Sequence, residues 1–139
     1  MNINNLLRRF CLQQTRAGLI QRFKARCEIS LILDLPENFN HFTDEEEQTI
    51  YRITQEALEN ILKHARASHV RLSLEKQSTN WVYTIKDDGK SIDFNNKETP
   101  FEGLGIQGMQ ERANAIGAEL HIHSQPDKGT IIQLIITSR

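Results

Sequence analysis

The sequence predicts an α/β (α+β) two-layer sandwich, a mixed sheet covered on one face by helices. Two observations carry this reading. The predicted order is helix, strand, helix, two strands, helix, two strands. The segment after Thr43 has the apolar spacing of a long amphipathic helix, whereas the later segments alternate with a period of two. With 139 residues, 38% hydrophobic and 25% charged, the chain fits one domain with a core of its own.

The elements follow in order. Ile3 to Ala25 is basic, with Leu6, Leu7, Phe10, Leu19, Ile20 and Phe23 at mixed helical spacing, and reads as one helix or two broken near Gly18. Cys27 to Leu35 alternates, placing Ile29, Leu31 and Leu33 on one strand face. Thr43 then begins a helix as N-cap, with Glu46 three residues on to complete a capping box. Asp44, Glu45 and Glu46 suit the positive end of its dipole. Ile50, Ile53, Ala57, Ile61 and Ala65 form its core-facing stripe. Val70, Leu72 and Leu74 mark the next strand by their alternation, and Trp81, Tyr83 and Ile85 its successor, whose stripe reads as core rather than a binding platform. A loop from Asp87 to Gly105 precedes a short helix, about Ile106 to Ile116, stopped by Gly117. Strands at Leu120 to Ser124 and Thr130 to Thr137 flank a turn at Pro126-Asp127-Lys128-Gly129.

Composition excludes several functions. Lys and Arg total 17 against 18 for Asp and Glu, which gives no basis for a nucleic-acid or membrane-surface partner. No apolar run approaches the length, about eighteen residues, of a membrane span. Met1 to Phe10 is too polar for a signal peptide, so any membrane tether is expected outside this chain. Cys11 and Cys27 are too few for a disulfide framework and fit a reducing, cytoplasmic setting. His121 and His123 put two imidazoles on one strand face without an evident third ligand, and read as a polar strand face rather than a zinc site.

Four short segments carry chemistry. Glu56, Asn60 and His64 recur every four residues, with Lys63 three beyond Asn60, so they share one helix edge. An amide oxygen suits Mg²⁺, which keeps few protein ligands, and an ammonium suits phosphate as a point charge. The same pattern fits a solvated polar face, and the helix alone does not decide. Asp87-Asp88-Gly89 follows a strand; such an Asp can accept a hydrogen bond from the amine of adenine, though Asp-Gly turns are common. Gly103-Leu104-Gly105 opens a helix whose N–H groups can face phosphate. It matches neither the dinucleotide motif in context nor a P-loop. Gly129-Thr130 opens the last strand with a hydroxyl that can join a water network near a base.

Together these segments resemble a known family. Gln55 to Ala65 is similar to the N box of the GHKL ATPases, the group of gyrase, heat-shock chaperones, MutL and histidine kinases. Asp87 to Ser91 resembles the first glycine box, and Gly103 to Met109, continued by Gln110-Glu111-Arg112, the second. The wording Gln-Glu-Ala-Leu-x-Asn-x-x-Lys-His-Ala and Gly-Leu-Gly-Ile-x-Gly-Met-x-Glu-Arg is close to the nitrate-sensor and sugar-phosphate-sensor class of histidine kinases. The resemblance runs from about Gly18 to the C-terminus. Leu6 to Phe10 resembles the end of that class's dimerisation helix, so residues 1–17 are expected to be a remnant of that region and 18–139 the catalytic domain.

The resemblance implies a Bergerat-type fold and an ATP-binding catalytic domain that transfers phosphoryl to a histidine on a separate dimerisation domain. It implies Mg²⁺ on Asn60, a proton-accepting or orienting Glu56, and Lys63 and His64 at the phosphates. Asp87 is the implied adenine ligand, with Gly89 beside it and Thr130 in support. Gly103 and Gly105 are the implied hinge of a loop, about Lys90 to Glu102, that closes over ATP. A response regulator is the implied downstream partner. The implied setting is the cytoplasm, with a parent protein open to inner-membrane anchoring. Two departures stand out. Ser91 replaces the usual second glycine of the first box, at a cost on the order of 1 kcal/mol if φ is positive there. None of the five histidines sits in an upstream dimerisation helix before an acidic residue, so the acceptor is expected elsewhere and the chain is expected to be a piece of a longer one. Rival readings are a serine kinase of the anti-sigma type, a gyrase-like or chaperone ATPase, which needs a following domain, and a degenerate nucleotide-binding or interaction module.

Overall fold

The computed structural model describes residues 30–36, 40–61, 67–89, 105–125 and 128–137. The expected N-terminal helix, both cysteines and Ser91 lie outside them. Seven elements are present among the described residues: β1 (Ser30–Asp34), α1 (Asp44–Asn60), β2 (His69–Gln77), β3 (Asn80–Asp87), α2 (Ile106–Ala115), β4 (Glu119–Gln125) and β5 (Gly129–Thr137). A five-stranded sheet has the order β1-β2-β3-β5-β4. Its β1 and β2 pair in parallel and the other neighbours antiparallel, which makes the sheet mixed as expected.

Local chemistry explains where α1 starts. Thr43 is extended, its hydroxyl accepts from the Glu46 N–H at 3.1 Å, and the Glu46 carboxylate accepts from the Thr43 N–H at 2.9 Å. The first turn carries four acids, Asp44 to Glu47, at the positive end of the dipole. The buried stripe is wider than the spacing predicts, because Tyr51, Thr54 and Leu58 join Ile50, Ile53 and Ala57. The helix is described to Asn60 with Ile61 as C-cap; the predicted end near Ala65 lies outside the described residues. Helix α2 closes at Ala115, and Gly117 then adopts φ +69°, the left-handed stop its sequence predicts.

Alternation along the strands organises the sheet into rows. Leu33, Leu72, Ile85, Ile132 and Ile122 pair across all five strands. Leu74, Tyr83, Leu134 and Leu120 form a second row. Both face the helices and meet Ile50, Ile53, Ala57, Met109 and Ala113 in one core. Each fully buried aliphatic side chain there contributes roughly 1.5–3 kcal/mol. The third row, at the sheet's other margin, is different: Leu31 and Val70 are followed by Asp87, then by the cross-strand pair Thr130 and Ser124.

Two details differ from expectation. Leu33 shares its face with buried Leu72 yet is 48% exposed. The reason is that β1 is an edge strand, and among the described residues little covers its flank. Trp81 is only partly buried. It stacks on His41 at 5.2 Å between ring centres, meets Phe42 edge-on and lies under the Lys76 ammonium, whose charge is drawn to the ring face. At that end β2 turns into β3 through Ser78 and Thr79, with Ser78 at φ +58°.

Candidate nucleotide-binding site

The polar row coincides with a cavity. Asn60 from the end of α1, Asp87 from the end of β3 and Thr130 from the start of β5 all line it. Its floor is apolar: Ile85, Ile122 and Ile132 from the sheet, Ala57 and Ile61 from α1, Ile106 and Met109 from α2. About 340 Å³ of space lies within it, part of it open to solvent. A few convergent polar groups over a hydrocarbon floor is the usual make-up of a small-molecule site.

Asp87 is held with care. The residue is 3% exposed although it carries a carboxylate. Burial pushes its pKa up, the N–H groups of Gly89 and Thr130 oppose that, and the neighbouring Asp88 charge adds to the rise. The net direction is upward. The Gly89 N–H donates to Asp87 Oδ1 at 2.9 Å, closing a local turn after the strand. Thr130 Oγ1 lies 3.2 Å from Ser124 Oγ, which links the site to β4.

Glycine is favoured at two points, by close approach to backbone at Gly129 and by a left-handed conformation at Gly105. At Gly129, φ is +84° and a Cβ would sit 1.9 Å from the Asp87 carbonyl oxygen. At Gly105, the N-cap of α2, φ is +67° and a Cβ would sit 2.6 Å from Glu56 Oε2. The half-buried Glu56 carboxylate therefore abuts the start of α2, where the helix dipole favours an anion.

Of the residues singled out from sequence, Asn60, Asp87 and Thr130 come together at the cavity. Glu56 stands one turn before Asn60 on α1, against Gly105. Gly89 serves Asp87 through its N–H and is not part of the cavity lining. Lys63, His64 and Gly103 lie outside the described residues. Sequence reasoning missed Ser124, whose register opposite Thr130 was its only signal, and the isoleucine floor, whose alternation reads simply as core. Among the described residues no cluster of three His, Cys, Asp or Glu forms a metal site, and His121 instead meets Glu119 at 3.3 Å. No described helix is long and apolar enough to cross a membrane.

Residues 45–139 match the family described as histidine kinase-, DNA gyrase B-, and HSP90-like ATPase. The chain belongs to this ATPase family. Curated relatives include the signal transduction histidine-protein kinase/phosphatase DegS of Brevibacillus brevis, 42% identical over 96 residues, covering 68% of this chain and 24% of that protein. Sensor protein VraS of Staphylococcus haemolyticus is 41% identical over 88 residues, covering 63% of this chain and 25% of its own length. The ATPase-family chain thus spans about a quarter of the relatives it matches.

Solved structures agree on the α/β sandwich. The histidine kinase domain of the Erythrobacter litoralis blue-light activated histidine kinase superposes with a TM-score of 0.65 at 25% identity, over 93% of this chain and 61% of that one. Full-length ShkA in complex with AMPPNP gives 0.68 at 14% identity, over 100% of this chain and 31% of that one, a likeness of fold.

Proposed function

We propose that this ATPase-family domain is the catalytic domain of a two-component sensor histidine kinase, transferring the γ-phosphoryl of Mg²⁺-ATP to a histidine on a separate dimerisation domain. The observation that carries this is the shared cavity of Asn60 and Asp87, an amide and a carboxylate facing one apolar floor. The names of DegS as a signal transduction histidine-protein kinase/phosphatase and of VraS as a sensor protein support this reading over a serine kinase of the anti-sigma type.

Each residue has a task in this reading. Asp87 accepts a hydrogen bond from the exocyclic amine of adenine, and the isoleucine floor takes the ring. Thr130 supports the base through its hydroxyl, held by Ser124. The Asn60 amide fits a hard cation that keeps few protein ligands, so Asn60 would hold Mg²⁺. That ion supplies neutralisation of the phosphate charge when bound. Lys63 and His64 offset charge on the transferring group, and Glu56 orients the attacking imidazole or accepts its proton. The imidazole nitrogen bonds to the γ-phosphorus as the bond to the β-phosphate oxygen breaks, and ADP leaves. Such a loose transition state asks mainly for positioning and electrostatics.

Residues 18–139 form the catalytic unit in this proposal, and residues 1–17 belong to the dimerisation region. The phosphoryl then passes to a response regulator in the cytoplasm. The test is twofold. Calorimetric titration with ATP, with and without Mg²⁺, should show binding that Asn60→Ala abolishes in the Mg²⁺ arm. Mixing the domain, ATP and a dimerisation domain should then yield acid-labile phosphate. Full Mg²⁺-ATP affinity in the Asn60→Ala protein would refute the assigned role.

A further inference from the structure

Asp88, next to the proposed adenine ligand and one residue beyond β3, is not among the residues lining the cavity and turns its carboxylate to the start of β2. It is the centre of a tight cluster of bonds. Asp88 Oδ1 accepts from the backbone N–H of Ser68 and of His69, both at 2.8 Å. Asp88 Oδ2 meets His69 Nδ1 at 2.8 Å. The Asp88 N–H donates to the His69 carbonyl at 3.2 Å, one step beyond the last β2–β3 pair, Val70 with Asp87. Burial works to raise the Asp88 pKa, but the His69 N–H, the His69 imidazole and the Ser68 N–H outweigh it, and the net direction is downward.

The place of this cluster matters more than its strength. Ser68 stands where the chain from the end of α1, which carries Asn60, enters β2. The Ser68 carbonyl in turn accepts from the Ser30 N–H at 2.8 Å, tying in β1. A single carboxylate therefore joins the end of β3, the start of β2 and the chain leaving α1. Its contacts with Ser68 and His69 hold the Asp87–Gly89 turn against β2 just where the strand ladder runs out.

We propose that Asp88 is a positioning residue for adenine recognition, fixing the Asp87 carboxylate toward the cavity by anchoring the adjoining turn to Ser68 and His69. The inference rests on the reading of Asp87 as the adenine contact. A fixed carboxylate accepts from the 6-amine of adenine and repels the 6-carbonyl of guanine. A carboxylate free to swing loses that discrimination before it loses general affinity.

The test measures Kd for Mg²⁺-ATP and Mg²⁺-GTP by calorimetry, well below the Tm of each protein. Wild type should prefer ATP. Asp88→Ala should lower the ATP-to-GTP preference about tenfold, mostly through weaker ATP binding. Loss of stability alone would leave the ratio unmoved at a temperature where the protein is folded. His69→Phe keeps the backbone N–H and removes only the imidazole contact; it should lower the ratio about threefold, and it decides the matter if Asp88→Ala does not fold. An unchanged ratio in the folded variant overturns the role of Asp88. A wild type that binds ATP without preference over GTP, or binds neither, overturns the adenine reading of Asp87 and this inference with it.

Discussion

Gly129 of β5 lies against the main chain of Asp87 so closely that a Cβ would come within 1.9 Å of the Asp87 carbonyl oxygen. The contact explains why the last strand must begin with glycine: only an atom smaller than a methyl group lets β5 come alongside the end of β3. In Gly129→Ala the positive φ adds strain to that clash, and the atoms that must yield are backbone. The expected cost is about 2–4 kcal/mol in urea unfolding, with weaker nucleotide binding in the fraction that folds. An alanine variant with wild-type stability would show that the approach is not a constraint.

The Asp87 carboxyl makes stability and binding respond to pH in opposite directions. Its pKa lies above the ordinary 3.8 in the folded chain, chiefly through burial. The folded state therefore holds a proton that the unfolded state has released, and Asp87 contributes stability at low pH that is lost as pH rises through the raised pKa. Asp88, with its lowered pKa, acts in the opposite sense, but it is common to both proteins in a comparison with Asp87→Asn. As pH rises above 3.8, the Tm of the nucleotide-free wild type should fall relative to Asp87→Asn. Over the same range wild-type ATP affinity should increase, since only the ionised group is a full acceptor. A Tm difference independent of pH would remove the argument.

Tyr83 and Thr54 connect sheet to helix inside the core. Thr54 Oγ1 donates to the Ile50 carbonyl at 2.6 Å, so in their 2.7 Å contact the Tyr83 hydroxyl is the donor. Tyr83 is 1% exposed, and burial pushes its pKa up beyond the ordinary range. Tyr83→Phe should cost about 1 kcal/mol, and Thr54→Val more, about 1–3 kcal/mol, because it strands a buried hydroxyl. The double variant should be more stable than the sum of the two losses predicts. Strict additivity in denaturant melts would argue against the bond.

Ser78 holds the β2–β3 turn with a positive φ that glycine adopts freely. Ser78→Gly should raise stability by about 0.5–1 kcal/mol in thermal melts, offset in part by the greater freedom of the unfolded chain. Nucleotide affinity should not change, because the turn is at the end of β3 opposite Asp87. A destabilised glycine variant would mean that the Ser78 side chain compensates for its backbone.

Much of this was legible in the residues. Thr43 and Glu46 announce the start of α1 because a capping box is local chemistry. Asn60, Asp87 and Thr130 are legible as a set through their order along the chain, and they meet at one cavity. What stayed hidden depends on register and on approach between distant segments. Nothing local says that Ser124 stands opposite Thr130, that Glu56 abuts Gly105, or that Asp88 reaches back to Ser68. Leu33 misleads for a related reason: alternation gives the face, but not whether a strand stands at the margin of its sheet.

The division of the sheet into hydrocarbon rows and one hydrogen-bonded row has a consequence for how such a domain changes over time. The polar groups proposed to choose the ligand, Asp87 and Thr130, stand at one margin, whereas the neighbouring row of Ile85, Ile132 and Ile122 serves the core and the cavity floor at once. Polar selectivity is thus free to drift at that margin, while the shared isoleucine row can change only within what the packing allows.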